Sequence, residues 1–203
     1  MKSAPPASIP TALDICNLAL AKLGEAPIPG IDANGSPAAR LCYSHYHPVR
    51  REILCANRWT FATKQAILQA GQGSADNLPH NLPHNLPDDC LRVLEVNRRT
   101  WTLRGRCIYC PGEQVHLLYI ADEEDTGLFE PLFVEAFATR LACKLCIPLT
   151  SSTTAREALT HEYHRIALPQ AAHNNAVQSF SNDSHPLYSL WRKSYQQSST
   201  SSL

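Results

Sequence analysis

Apolar residues recur at helical spacing towards both ends of the chain and at strand spacing between them. In residues 11 to 23, Leu13, Cys16, Leu20 and Leu23 share one helical face. Thr11 and Asp14 have capping-box spacing, and Gly24 is a stop signal. Ser36-Pro37, an N-cap followed by proline, starts a second helix. Its stripe of Cys42, Tyr46, Val49, Ile53 and Ala56 runs to about residue 58, with Pro48 inside as a kink. From Trp59 the period shortens. "WTFATKQAIL", "CLRVLEV", "TWTLRG", "RCIYC" and "QVHLLYI" read as strands, and Pro111-Gly112 as a type II turn joining the last two. Residues 71 to 89, rich in Gly, Asn and Pro, read as a loop. Helical period returns near residue 127, with Phe129, Phe133, Phe137, Leu141 and Leu145 in one row that Pro148 ends. Thr154 and Glu157 then open a last helix with buried face Ala155, Leu159, Tyr163 and Ile166.

This order predicts an α+β chain, mainly α: a four-helix bundle with a β-rich insertion between helices 2 and 3 and an extended C-terminal tail. Residues 1–58 form the first helical pair and 59–125 the insertion, with a variable loop at 71–87. Residues 126–175 form the second pair, and 176–203 the tail. The tail is rich in Ser, Asn and Gln yet holds Leu187, Tyr188, Leu190, Trp191 and Tyr195. Such a cluster either packs back on its own domain or docks on a partner, where Trp and Tyr are good anchors.

Composition narrows the function. Of 203 residues, 18 are Lys or Arg and 18 Asp or Glu, a balance that argues against a protein that coats DNA or a membrane surface. No apolar run has the length to span a bilayer, and "MKSAPPASIP" lacks a signal-peptide core, so the expectation is a chain made and kept in the cytoplasm. The eight cysteines sit mostly in apolar segments and read as small core residues of a reduced compartment.

Several groupings invite chemistry. Cys107/Cys110 and Cys143/Cys146 have the spacing of zinc knuckles. On a strand, however, residues three apart point to opposite faces, and the second pair shares a flank of an apolar helix face. "HEYH" spaces His161 and His164 one residue too close for a helical zinc motif. "CYSHYH" offers thiol and imidazole without an orienting acid. No catalytic, metal-binding or cofactor-binding residue is therefore assigned, and the chain is not expected to be an enzyme. Basic residues gather in "HPVRREILCANR" and "VNRRTWTLRGR", which read by default as a solvated helix face and a solvated hairpin; if the chain forms a ring, Arg98, Arg99, Arg104 and Arg106 of the second could face DNA in its lumen.

Four segments in order resemble a known family. They are "ICNLALAKLGEAPI", "REILCANRWTFATKQAIL", "LPDDCLRVLEV" and "FEPLFVEAFATRLACKLCIPLTSS", which together span roughly residues 12 to 175. They are similar to tail tubular protein A-type head–tail adaptors of tailed bacteriophages and prophages. The resemblance implies a virion protein made in a bacterial host. Such adaptors form a homo-oligomeric ring, commonly of twelve subunits, that joins the portal protein to the tail tube or nozzle and lets DNA pass. No cofactor and no membrane contact are implied. Leu187, Tyr188, Leu190, Trp191 and Tyr195 then become candidate docking residues for the portal or a neighbouring subunit. Competing readings are a zinc-binding module on the cysteine pairs, a nucleic-acid-binding module on the arginine clusters, and a neighbouring connector or stopper protein.

One stretch repeats. In "NLPHNLPHNLPDD", residues 77 to 89, the last copy runs into "CLRVLEV" as the family-like approach to a strand. The two earlier copies read as a lengthened, proline-stiffened loop, with His80 and His84 exposed to solvent.

Overall fold

The computed structural model describes residues 9–71 and 81–180. Within them the chain divides into two compact units. A helical unit ends its first segment at Asn57 and resumes from Glu123 to Ala176, and a sheet unit runs from Arg58 to Asp122 and takes up the chain again from Val177.

In the helical unit, α1 (Ala12–Lys22) starts at the expected Thr11–Asp14 capping box, and α2 (Pro37–Ala56) starts at Ser36, whose hydroxyl accepts from the Ala39 N–H. After an isolated 3-10 turn (Thr126–Leu128), α3 (Pro131–Thr150) buries Phe133, Phe137, Leu141 and Leu145, together with Ala136, Ala138, Ala142 and both of its cysteines. A helix buried on this much of its circumference is a hub. Accordingly α1, α2 and α4 (Thr153–Glu162) each pack along α3, while α1 and α2 meet only lightly. The expected four-helix bundle is therefore corrected. The fold is mixed α+β, with helices gathered about one central apolar helix instead of four sharing a common core. Lys22 ties three of them, reaching Glu135 at 2.6 Å and Glu162 at 2.8 Å.

Neither proline ends its helix. Pro48 and Pro148 both lie inside, and α3 continues to Thr150 before Ser151 closes it at φ 53°. The carbonyls that each proline orphans belong to Ser44 and Lys144, both exposed, where water can replace the lost bond. The last helix opens two residues before Thr154, at Ser152, whose hydroxyl accepts from the Ala155 N–H. It then passes through a π-helical turn (Tyr163–Ala167) into α5 (Leu168–Phe180). The wider turn shifts the phase by a residue. Leu159, Tyr163, Ala167 and Ala171 are buried in steps of four, and Ile166, expected inside, is 48 % exposed.

The sheet unit holds two three-stranded antiparallel sheets. One has the order β1 (Thr63–Gln69), β6 (Gln114–Ala121), β3 (Cys90–Val96); the other β2 (Leu82–Asn85), β5 (Cys107–Cys110), β4 (Thr102–Arg104). Their apolar faces meet in one core that includes Leu68, Val96, Ile108, Cys110, Val115, Leu117 and Tyr119. β5 and β6 are thus not hairpin partners. The Pro111-Gly112 turn, with Gly112 at φ 102°, carries the chain from one sheet to the other. β4 and β5 do form a hairpin, closed by Gly105-Arg106 with the glycine at φ 59°.

Candidate functional site

The four hairpin-region arginines separate into two kinds. Arg98 donates to three main-chain carbonyls: Pro111 from Nε at 2.9 Å, Asn97 from Nη1 at 3.1 Å and Gln114 from Nη2 at 2.6 Å. It spans the turn between the sheets and lies so close to Gly112 that a Cβ there would sit 2.8 Å from Nη2. Arg106 donates to the carbonyls of Pro87, Asp88 and Cys90, holding the approach to β3. A guanidinium spent on carbonyls is a brace for irregular backbone. Arg99 and Arg104 stay exposed on the β4 side, Arg104 with its guanidinium carbon 6.0 Å from the Tyr109 ring centre.

The repeat is also divided. Its middle copy supplies β2, pairing Leu82 with Cys110 and Asn85 with Cys107. Pro83 is tolerated because β2 is an edge strand; its carbonyl accepts from the Gly71 N–H at 2.7 Å. His84, expected to be exposed, is fully buried. Its Nδ1 faces the Leu82 carbonyl at 3.0 Å and its Nε2 the Gly112 carbonyl at 3.1 Å, with Cys110 Sγ 3.7 Å from Nδ1. Either ring nitrogen has a carbonyl within reach of its N–H, so a neutral imidazole finds a main-chain acceptor in either tautomer, and this lets it occupy a core position. His80 lies outside the described residues. The family-like copy that follows is held by Asp89, which accepts from the Tyr119 hydroxyl at 3.0 Å and pairs with Lys64 at 3.2 Å. Burial, then this carboxylate, pushes the Tyr119 phenol up to about 12.

The thiols are dispersed. Cys107 is half-buried, while Cys110, beside His84, is pushed up by burial. Cys143 and Cys146 belong to the other unit, Cys146 against Thr150 Oγ1 at 3.4 Å. Among the described residues no three His, Cys, Asp or Glu side chains come together in a metal-binding arrangement. In "CYSHYH", Cys42 and Tyr46 are buried, Cys42 against Cys16 of α1. In the first basic cluster Arg50 is 1 % exposed and pairs at 2.6 Å with the exposed Glu124, so this arginine is a buried member of the fold.

The helical unit also carries a groove of about 840 Å³. Cys143, Ile147, Pro148 and Thr160 line it alongside Arg140, Lys144, Arg156, Arg165, His161 and His164, with Glu157 as its single carboxylate. Glu52 partly answers Arg140 and Lys144. Burial raises the Glu52 carboxyl, but those two bonds outweigh it and hold the group below the ordinary carboxylate range. No salt bridge among the described residues engages Arg156 or Arg165. His161 and His164, whose spacing does not suit a helical zinc motif, line this groove. The groove itself depends on the sharp return after Pro148, which sets basic positions of α3 against those of the next helix.

Leu187, Tyr188, Leu190, Trp191 and Tyr195 lie outside the described residues. No described helix is long and apolar enough to cross a membrane. No family model matches the chain, and no curated protein matches it significantly.

Proposed function

We propose that this chain is a structural virion protein, a head–tail adaptor resembling the tail tubular protein A type. Its subunits form a ring that seats on the portal, receives the tail tube or nozzle, and leaves a central passage for DNA. The observation that carries the reading is the serial order of four family-like segments, each with residues that hold a junction of the fold. Asn17 of the first pins Ile28, accepting from its N–H at 2.8 Å and donating to its carbonyl at 3.2 Å. Trp59 of the second is 1 % exposed. Asp89 of the third fixes the start of β3, and Phe133 and Phe137 of the fourth build the hub helix.

In this role Arg99 and Arg104 are the hairpin arginines left to meet passing DNA, since Arg98 and Arg106 brace carbonyls. A chain with zero formal net charge suits a conduit through which DNA must slide without being retained. The tail cluster around Trp191 docks on the portal or a neighbouring subunit, and truncation after residue 176 should abolish that docking. Electron microscopy of the protein mixed with its portal ring tests the whole reading. A density ring beneath the portal is the expected result, and a portal that stays bare overturns it.

A further inference from the structure

We infer that the contact between neighbouring subunits of the proposed ring is made by the acidic loop at residues 123–128 of one copy seated in the basic groove of the next. The inference rests on the ring reading and names the surfaces that would close it. The two surfaces complement each other in charge and in greasiness. The groove is lined by four cationic side chains and one carboxylate over an apolar floor of Cys143, Ile147 and Pro148; Glu52 answers Arg140 and Lys144, which leaves Arg156 and Arg165 to meet an acidic partner. The loop carries Glu123, Glu124 and Asp125, followed by Leu128, which is 48 % exposed. Its shape is fixed beforehand: Glu123 Oε1 accepts from the N–H groups of Glu124 and Asp125, and Asp125 Oδ1 accepts from that of Gly127. A loop ordered in advance loses little entropy on docking. Glu124, although paired with Arg50, keeps 66 % of its side chain exposed.

The same chain cannot satisfy its own groove. The loop precedes the start of α3, and Lys144 lies some 13 residues along that helix, about 20 Å at the helical rise. Acidic and basic patches at opposite ends of one rigid helix make a head-to-tail contact between different surfaces, the kind that generates a closed ring when the rotation closes. A chain with no formal net charge still associates with itself when its charges are segregated in this way.

Charge exchange tests the pairing. R156E/R165E makes the groove acidic, and E123K/D125K makes the loop basic. Each full-length variant alone, mixed with portal rings, is expected to lose the adaptor ring in electron micrographs. Mixing the two variants is expected to restore it, because each reversed groove then faces a reversed loop. The neutral pair R156Q/R165Q brings in no new charge and guards against misfolding. It should raise the concentration needed for half-assembly roughly tenfold. Wild-type rings together with normal rings from R156E/R165E and R156Q/R165Q would overturn this contact while leaving the adaptor reading intact. So would normal rings from E123Q/D125N, which removes two loop charges but keeps the side-chain oxygens that accept from the Glu124, Asp125 and Gly127 N–H groups. Normal rings combined with salt-sensitive duplex DNA binding that R156Q/R165Q abolishes would reassign the groove to nucleic acid. If wild-type protein forms no ring on the portal, the adaptor reading fails first.

Discussion

The helical unit and the sheet unit hold themselves together by different means. In the first, one apolar helix is wrapped by others, and its aromatic side chains fill the space: Phe137 lies 5.0 Å from the Tyr46 ring and 6.2 Å from Phe133, centre to centre. In the second, strands of three to eight residues bend between two sheets, and polar side chains collect the carbonyls that the ladders leave over. Apolar volume governs one unit; main-chain hydrogen-bond satisfaction shapes much of the other. Substitutions should therefore be felt through cavities in the helical unit and through lost polar bridges in the sheet unit.

The largest effect belongs to the hub. Phe137→Ala leaves a hole between α2 and α3 and should cost about 3–5 kcal/mol, read as loss of helical circular dichroism at lower urea. A cost below about 1 kcal/mol would mean that the helices collapse around the gap, and the hub description would not hold. Next comes His84→Ala, which removes the ring lying between the Leu82 and Gly112 carbonyls, with the hydrogen bond its N–H makes to one of them, and leaves a void beside Cys110. It should destabilise the sheet unit by roughly 2–3 kcal/mol, followed by the fluorescence of buried Trp59. For the same reason, deleting residues 77 to 84, which removes both Asn-Leu-Pro-His copies so that neither can supply the strand, is expected to unfold this unit. Smaller again is the contrast between neighbours. Arg98→Ala should cost about 1–2 kcal/mol because three carbonyls lose their donor, whereas Arg99→Ala should change stability by less than about 0.5 kcal/mol. Equal costs for the two would erase the distinction between bracing and free arginines.

The same difference decides what was legible in the sequence. Helix starts at Thr11 and Ser36 and the buried Phe row could be read directly, because capping and period are local signals. The misplaced positions had non-local causes. Ile166 turned outward because a π-turn inserts a residue, which no period of 3.6 anticipates. His84 turned inward because its copy of the repeat pairs with a strand some twenty residues later. Arg98 and Arg106 looked like ligands for phosphate, and the carbonyls they bind become neighbours only when the two sheets form. The basic groove was invisible for a related reason. Arg140 and Lys144 are one turn apart, but Arg156 and Arg165 join them only through the helical return after Pro148.

The smallest effect is a pH dependence at the start of α1. Asp14 sits below the ordinary carboxylate value, first because the Thr11 hydroxyl donates to it at 2.7 Å and then because the Thr11 N–H does so at 2.8 Å. A carboxyl lowered in the folded state stabilises that state at pH above its unfolded value and loses the contribution as pH falls through the folded one. Asp14→Asn removes the charge while keeping an acceptor for the Thr11 N–H. At neutral pH it should lower the melting temperature slightly, and the gap from wild type should close as pH falls to about 2, where Asp14 is protonated too. Glu52 is shifted in the same direction by Arg140 and Lys144, so wild type and variant share the rest of the acid limb. Only the difference between them reports on the cap. A gap that stays constant with pH would show that the capping box works through its geometry alone, with no share from the charge of Asp14.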